Sequence, residues 1–184
     1  MNRQEALQFL QQNLTNQNLI KHSLAVEAVM FDLAKYFNEN SDSWALAGLL
    51  HDIDYEQTKD NPAQHSLIGA EMLDEQGIDP EIIQAVKTHN EMHGIEPQSL
   101  MAKALYCSDP ITGLIVASAL VLPDKKIGNL NTSSVIKRFN EPRFAAGANR
   151  QIIGKCKELL DLDLEKFVDI SLKAMQKINQ DLGL

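Results

Sequence analysis

The chain of 184 residues carries a formal net charge of −8, with 44% hydrophobic and 23% charged side chains; this is ordinary globular composition, and its acidity argues against a dedicated DNA- or RNA-binding protein. Two distant cysteines, Cys107 and Cys156, offer neither a zinc ribbon nor a disulfide framework. The opening MNRQEALQFLQQNL is too polar for a secretory signal, and the longest apolar run, about 111–122, falls short of the ~20 residues that span a bilayer, so a cytoplasmic protein with no membrane partner is expected.

Helical periodicity dominates, and no alternating strand pattern interrupts it. The spacing predicts a helix over about 18–37, with Val26, Val29, Met30, Leu33 and Phe37 on one face. A second helix, entered through Asp42 and its neighbouring serines, spans 43 to about 54. A third starts after Asn61-Pro62, carries Ile68, Met72 and Leu73 inward, and stops at Gly77. Asp79-Pro80 begins a fourth, with Ile82, Ile83 and Val86 inward. A fifth runs from about 97 to Asp109, where Pro110 ends or kinks it, and the apolar run to 122 forms a further buried helix. The loop 123–132 separates a core of about 18–122 from a C-terminal extension of about 132–184, with helices over 133–139, 144–160 and 164–182. An all-α single domain is expected.

Charge is unevenly spread: residues 1–99 hold 5 Lys and Arg against 16 Asp and Glu, whereas residues 100–160 hold 9 against 4. An acidic body with one basic segment suits a small anionic ligand such as a phosphate ester, although each lysine there reads equally well as solvated surface.

The histidines fall on the apolar faces of these helices. His22 lies four residues before Val26 and seven before Val29, and His65 precedes Ile68, Gly69 and Met72 by three, four and seven. His89 follows Val86 and Ala85 by three and four, and Asp109 follows Leu105 by four and Met101 by eight. The stretch LAGLLHDIDYE runs a small-residue, apolar helix straight into His51 and Asp52. One inward histidine is ordinarily a hydrogen-bonded core residue. Aspartates differ, because Asp52 and Asp109 have no cheap place in a core without a cation or base beside them. A divalent ion shared among imidazoles and carboxylates satisfies all of these groups together, and helical bundles build such sites from inward residues of facing helices.

The order His22, then His51-Asp52, then Asp109 resembles the HD-domain superfamily of metal-dependent phosphohydrolases. HSLAVEAVM, WALAGLLHDID, QHSLIGAEML, AVKTHN and ALYCSDPITGLI are similar, in that order, to segments of its HDIG-type branch. The later part, including DPITGLIVASAL and FAAGANR, resembles a group of small HDIG-related proteins. The resemblance implies an HD-domain helical bundle in which His22, His51, Asp52 and Asp109 hold a first divalent ion. His65 and His89 match the extra histidines of two-metal members, with Asp52 bridging both ions; His93, one turn after His89, is an alternative ligand to it. Nitrogen and oxygen donors without a thiolate favour iron or manganese, since magnesium prefers oxygen-rich sites.

The same resemblance implies hydrolysis of a small phosphate ester, a nucleotide among the candidates, by a metal-activated water, with Asp52 in the catalytic centre. Glu56, four residues on, is a candidate acid or base, and Arg143, Arg150 and Lys126 are candidates for holding the phosphate. Both Glu56 and Asp54 also read as solvated carboxylates in the loop after the helix. Two features depart from the branch: HDIDYE puts Asp54 where many relatives have glycine and Tyr55 where they have a phosphate-binding lysine, and THNEMHGIEP lacks the Gly-Tyr-Pro signature of cyclic-dinucleotide hydrolases. Loss of that lysine keeps a di-iron oxygenase of the same fold in view. A non-catalytic nucleotide- or phosphate-binding sensor is the third expectation, and the apolar run at 111–122 serves either as core or as a homo-oligomer contact.

Overall fold

In the computed structural model, which describes residues 1–184, Asn2 opens the first helix, α1 (Arg3–Asn13), through a reciprocal cap. The Asn2 side chain accepts from the Glu5 N–H at 3.0 Å, and the Glu5 carboxylate accepts from the Asn2 N–H at 2.8 Å. Ala6, Leu10 and Leu14, spaced four apart, are buried. This helix is not among those expected from the periodicity, because its glutamine-rich surface leaves only a narrow apolar stripe.

The helix α2 (Gln17–Phe37) buries Val26, Val29, Met30 and Leu33 and ends at Asn38 in the left-handed conformation, φ 60°. The Asn40 side chain then caps α3 (Ser41–Leu50) by accepting from the N–H groups of Asp42 and Ser43. These two helices cross at Gly48, where a Cβ would stand 2.8 Å from the Val26 carbonyl oxygen and 2.9 Å from the Glu27 Cα; only glycine permits this approach. The second helix ends earlier than expected: residues 51–54 form turns, followed by the single turn α4 (Tyr55–Thr58).

After α5 (Leu67–Glu75) and α6 (Pro80–His89), a 3-10 turn over Glu91–His93 leads to α7 (Leu100–Leu120). The break expected at Pro110 is absent, and α7 is one helix of 21 residues. Proline removes one intrahelical donor, but Tyr106, Cys107, Ile111, Leu114 and Ile115 are buried around it, and that packing holds the helix through the defect. By length and composition α7 is long and apolar enough to cross a membrane, unlike the shorter run read from sequence. Its apolar side chains face the other helices, chiefly α2 and α6.

The rest comprises a 3-10 turn (Ile127–Asn129), α8 (Thr132–Phe139), α9 (Arg150–Gly154), α10 (Cys156–Leu160), α11 (Leu164–Lys177) and α12 (Asn179–Leu182). The helix expected over 144–160 exists only as α9 and α10. One apolar core of 46 buried residues runs through both parts of the chain, from Ala6 to Leu182, with α11 packed on α2 and α7.

Candidate metal centre

Two helix C-termini meet at one place: His51 caps the end of α3 and His89 is the last residue of α6. Carbonyls in the last turn of a helix lack intrahelical donors. The Gly48 carbonyl takes the His51 Nδ1–H at 2.8 Å, and the Val86 carbonyl takes the His89 Nδ1–H at 2.6 Å. His22, on α2, has its Nδ1 3.2 Å from the Thr112 hydroxyl, which itself donates to the Asp109 carbonyl at 2.9 Å and so accepts from the ring. The His65 Nδ1 donates to Asp54 Oδ1 at 2.9 Å. In all four rings Nδ1 is the bound donor, and every Nε2 turns toward a common centre.

The Nε2 atoms form two groups joined by Asp52. In the first, His22 Nε2 lies 3.2 Å from His51 Nε2 and 3.0 Å from Asp109 Oδ1, with His51 Nε2 3.8 Å from that oxygen. Asp52 Oδ2 stands 3.5 Å and 3.4 Å from these two nitrogens. In the second, Asp52 Oδ1 is 3.2 Å from His65 Nε2 and 3.4 Å from His89 Nε2, and those nitrogens are 3.2 Å apart.

Ligands at ~2.1 Å from one ion stand ~3.0 Å apart at a right angle and ~3.4 Å apart at the tetrahedral angle, so the spacing suits donors that share a cation. Lone pairs of two imidazoles facing each other at 3.2 Å repel unless a proton or cation lies between them. The partial negative charge at the ends of α3 and α6 favours a cation as well. His22, His51 and Asp109, and likewise His51, Asp52 and His89, offer donor atoms within 4.8 Å of one another. The residues present fit divalent metal binding.

Without metal, protons do part of this work. Burial pushes the His51 imidazole down to about 4, which keeps it neutral. Burial opposes charge on His65 too, but hydrogen bonds to Asp52 and Asp54 outweigh it and raise the ring to about 10. His22 is raised in the same way, against burial, by Asp109 and Asp52. Burial alone would raise Asp52, yet His51, His65, His89 and His22 hold it well below the usual carboxylate range. Asp109 is lowered, against burial, by His22 and His51.

Asp54 is not the solvated carboxylate expected from sequence but is fully buried. Besides His65, it accepts from the N–H groups of Ser66 at 2.8 Å and Gly69 at 2.9 Å, capping α5 from outside that helix. Ser66 takes a left-handed φ of 70° to present its N–H. The signal in the sequence was the carboxylate at the glycine position of HDIG.

Other expectations need correction. His93 does not stand in for His89, because its Nε2 donates to the His65 carbonyl at 2.7 Å. Glu56 is turned away from the cluster: its carboxylate accepts from Thr15 N–H and hydroxyl, both at 2.9 Å, and from Asn16 N–H at 2.6 Å, fastening the start of α2. Arg150 has no donor to spare for a phosphate. Its guanidinium bonds the carbonyls of Ala145 at 2.6 Å, Ala148 at 2.8 Å and Glu141 at 3.3 Å, and that of Phe144, winding the chain between α8 and α9 around itself. Arg143 and Lys126 are exposed, and neither side chain bonds a cluster residue. A cavity of about 820 Å³ elsewhere is lined by Arg3, Glu27, Asp32 and Lys177 among others, but these charges pair with one another at 2.5 Å, Arg3 with Glu27 and Lys177 with Asp32.

The HD domain family matches residues 19–119, a span that contains the whole cluster. The chain belongs to the HD-domain family. HD domains bind divalent metals and form a superfamily of metal-dependent phosphohydrolases. Among curated proteins the chain is similar to Ribonuclease Y of Geobacter sulfurreducens, 31% identical over 98 residues, which is 53% of this chain and 18% of that protein. It is similar to Ribonuclease Y of Lawsonia intracellularis, 28% identical over 114 residues, 62% of this chain and 22% of the relative. The Opitutus terrae protein of the same name is 26% identical over 140 residues, 74% of this chain and 26% of the relative. The chain thus spans only 18% to 26% of the length of these relatives. Their name makes them nucleases of RNA, so the expectation of no RNA partner, drawn from net charge, is overturned. Net charge averages over a whole surface and omits any bound cation, the largest local charge in such a site.

Proposed function

We propose that this protein is a metal-dependent phosphodiesterase acting on RNA, with two divalent ions, iron or manganese by donor type. His22, His51, Asp52 and Asp109 would hold one ion, and Asp52, His65 and His89 the other. The observation that carries this is the division of Asp52: Oδ2 faces His22 and His51 while Oδ1 faces His65 and His89. When bound, the ions supply Lewis acidity, lowering the pKa of water toward neutrality and neutralising charge on the phosphoryl group.

The chain's own groups divide the remaining work. His51 and His89, buried and locked on backbone carbonyls, set the floor of the site. His22 and Asp109, with side chains 25% and 33% exposed, stand at its opening, where a phosphodiester has access. Asp52 and Asp109 are kept ionised by their histidines, the form in which a carboxylate binds a cation. RNA is supported by the name of the relatives, Ribonuclease Y, and by the family match, in which the HD domain spans the cluster.

The test is cleavage of a single-stranded RNA oligonucleotide by iron- or manganese-loaded protein, in air and under strict anoxia. Equal cleavage in both, abolished by chelation and by Asp109→Asn, is expected. No phosphodiester cleavage by metal-replete protein refutes the proposal, and turnover only with dioxygen would put the oxygenase in its place.

A further inference from the structure

Tyr55 stands at the edge of the cluster in a role that the metal geometry does not use. Its backbone N–H donates to the Asp52 carbonyl at 2.9 Å, and its ring centroid lies 5.3 Å from that of His65, at an interplanar angle of 82°. Yet the residue is 42% exposed. A large aromatic ring left in water forgoes the burial that draws most such side chains inward. Met92, 63% exposed, stands on the 3-10 turn that His93 ties to the His65 carbonyl. Meanwhile no lysine or arginine forms an ion pair with any residue of the cluster. Beside the carboxylates and imidazoles that hold His65, the ring of Tyr55 is thus an exposed apolar face at the edge of the cluster, and no cation is paired with the cluster there.

We propose that Tyr55 is a specificity residue whose ring receives the nucleobase beside the scissile phosphate, so that the site prefers esters bearing a base to bare phosphodiesters. This rests on the phosphodiesterase proposal above. Stacking suits a site that must accept many sequences, because every base presents a π-face. It also supplies affinity that the acidic surface cannot supply through phosphate contacts.

The experiment compares binding of two phosphorothioate-linked tetranucleotides to the metal-loaded full chain. One carries 2-aminopurine, whose fluorescence is quenched on stacking, and the other is abasic at that position. Wild type and Tyr55→Phe are expected to quench the probe and to bind it about tenfold more tightly than the abasic strand. Tyr55→Leu, at an exposed position, should keep the metal content and bring that ratio close to one. A wild-type ratio of one, or an unchanged ratio in Tyr55→Leu, overturns the proposal. A protein that shows the ratio but cleaves no RNA loses the phosphodiesterase proposal and keeps only the base-stacking role of Tyr55; cleavage of RNA with a ratio of one overturns the role of Tyr55 and keeps the phosphodiesterase.

Discussion

Replacing Asp54 by alanine is expected to damage fold and metal binding together. The carboxylate satisfies three donors: His65 Nδ1–H at 2.9 Å, Ser66 N–H at 2.8 Å and Gly69 N–H at 2.9 Å. Leaving a buried donor unsatisfied costs about 1–3 kcal/mol. Water entering the vacated space will recover part of that, so a net loss of about 3–5 kcal/mol is expected for three donors. Against a typical total stability of about 5–15 kcal/mol, this is readily measured. Asp54→Asn keeps the volume but sets an amide N–H₂ against one of the N–H donors, and should cost less, about 1–3 kcal/mol. Both variants free the His65 ring to turn, and loss of such an orienting partner lowers metal affinity about 10- to 100-fold. Urea unfolding of the metal-free protein and elemental analysis of the metal-loaded protein measure the two effects. Stability within about 0.5 kcal/mol of wild type, with unchanged metal content in Asp54→Ala, would refute the account of Asp54 as both cap and orienting group.

Further outcomes are expected at the cluster and beyond it. Asp52→Ala should lose both ions and His65→Ala mainly one, as metals per chain by elemental analysis; full metal content in the Asp52 variant would contradict the bridging assignment. In the metal-free protein, His65 is raised from 6.5 to about 10, so its stabilising proton is fully in place below pH 6.5 and is lost as pH rises through about 10. A metal ion needs the same Nε2, so manganese affinity should climb across that window by up to about tenfold per pH unit; a flat titration between pH 6.5 and 8.5 would refute the competition. Asp52 and Asp109 are lowered, so the stability they contribute is present above the ordinary carboxylate range and is lost as pH falls through their folded values. Arg150→Met should lower unfolding stability by about 2–4 kcal/mol, because several carbonyls lose a charged donor, while KM for a phosphodiester stays unchanged. A raised KM with unaltered stability would return Arg150 to the substrate.

The apolar periodicity, the Asn and Asp caps and the HD-type motif order are local patterns, and from them the sequence by itself determined an all-α protein of the HD-domain family. The same patterns placed His22, His51, Asp52, His65, His89 and Asp109 on inward faces, and the structure brings all six together. Only the tertiary structure decided what each remaining polar group does, because its partner lies far along the chain. Asp54 finds α5 and His65, Glu56 reaches back to Thr15 and Asn16, and Arg150 gathers carbonyls from the chain before it. Pro110 reads from sequence as an end or a kink, yet the helix runs on through it because the packing of Tyr106, Cys107, Ile111, Leu114 and Ile115 outweighs one missing hydrogen bond. A side chain's type limits what it can bond; which donor or acceptor it meets is set by how the helices pack.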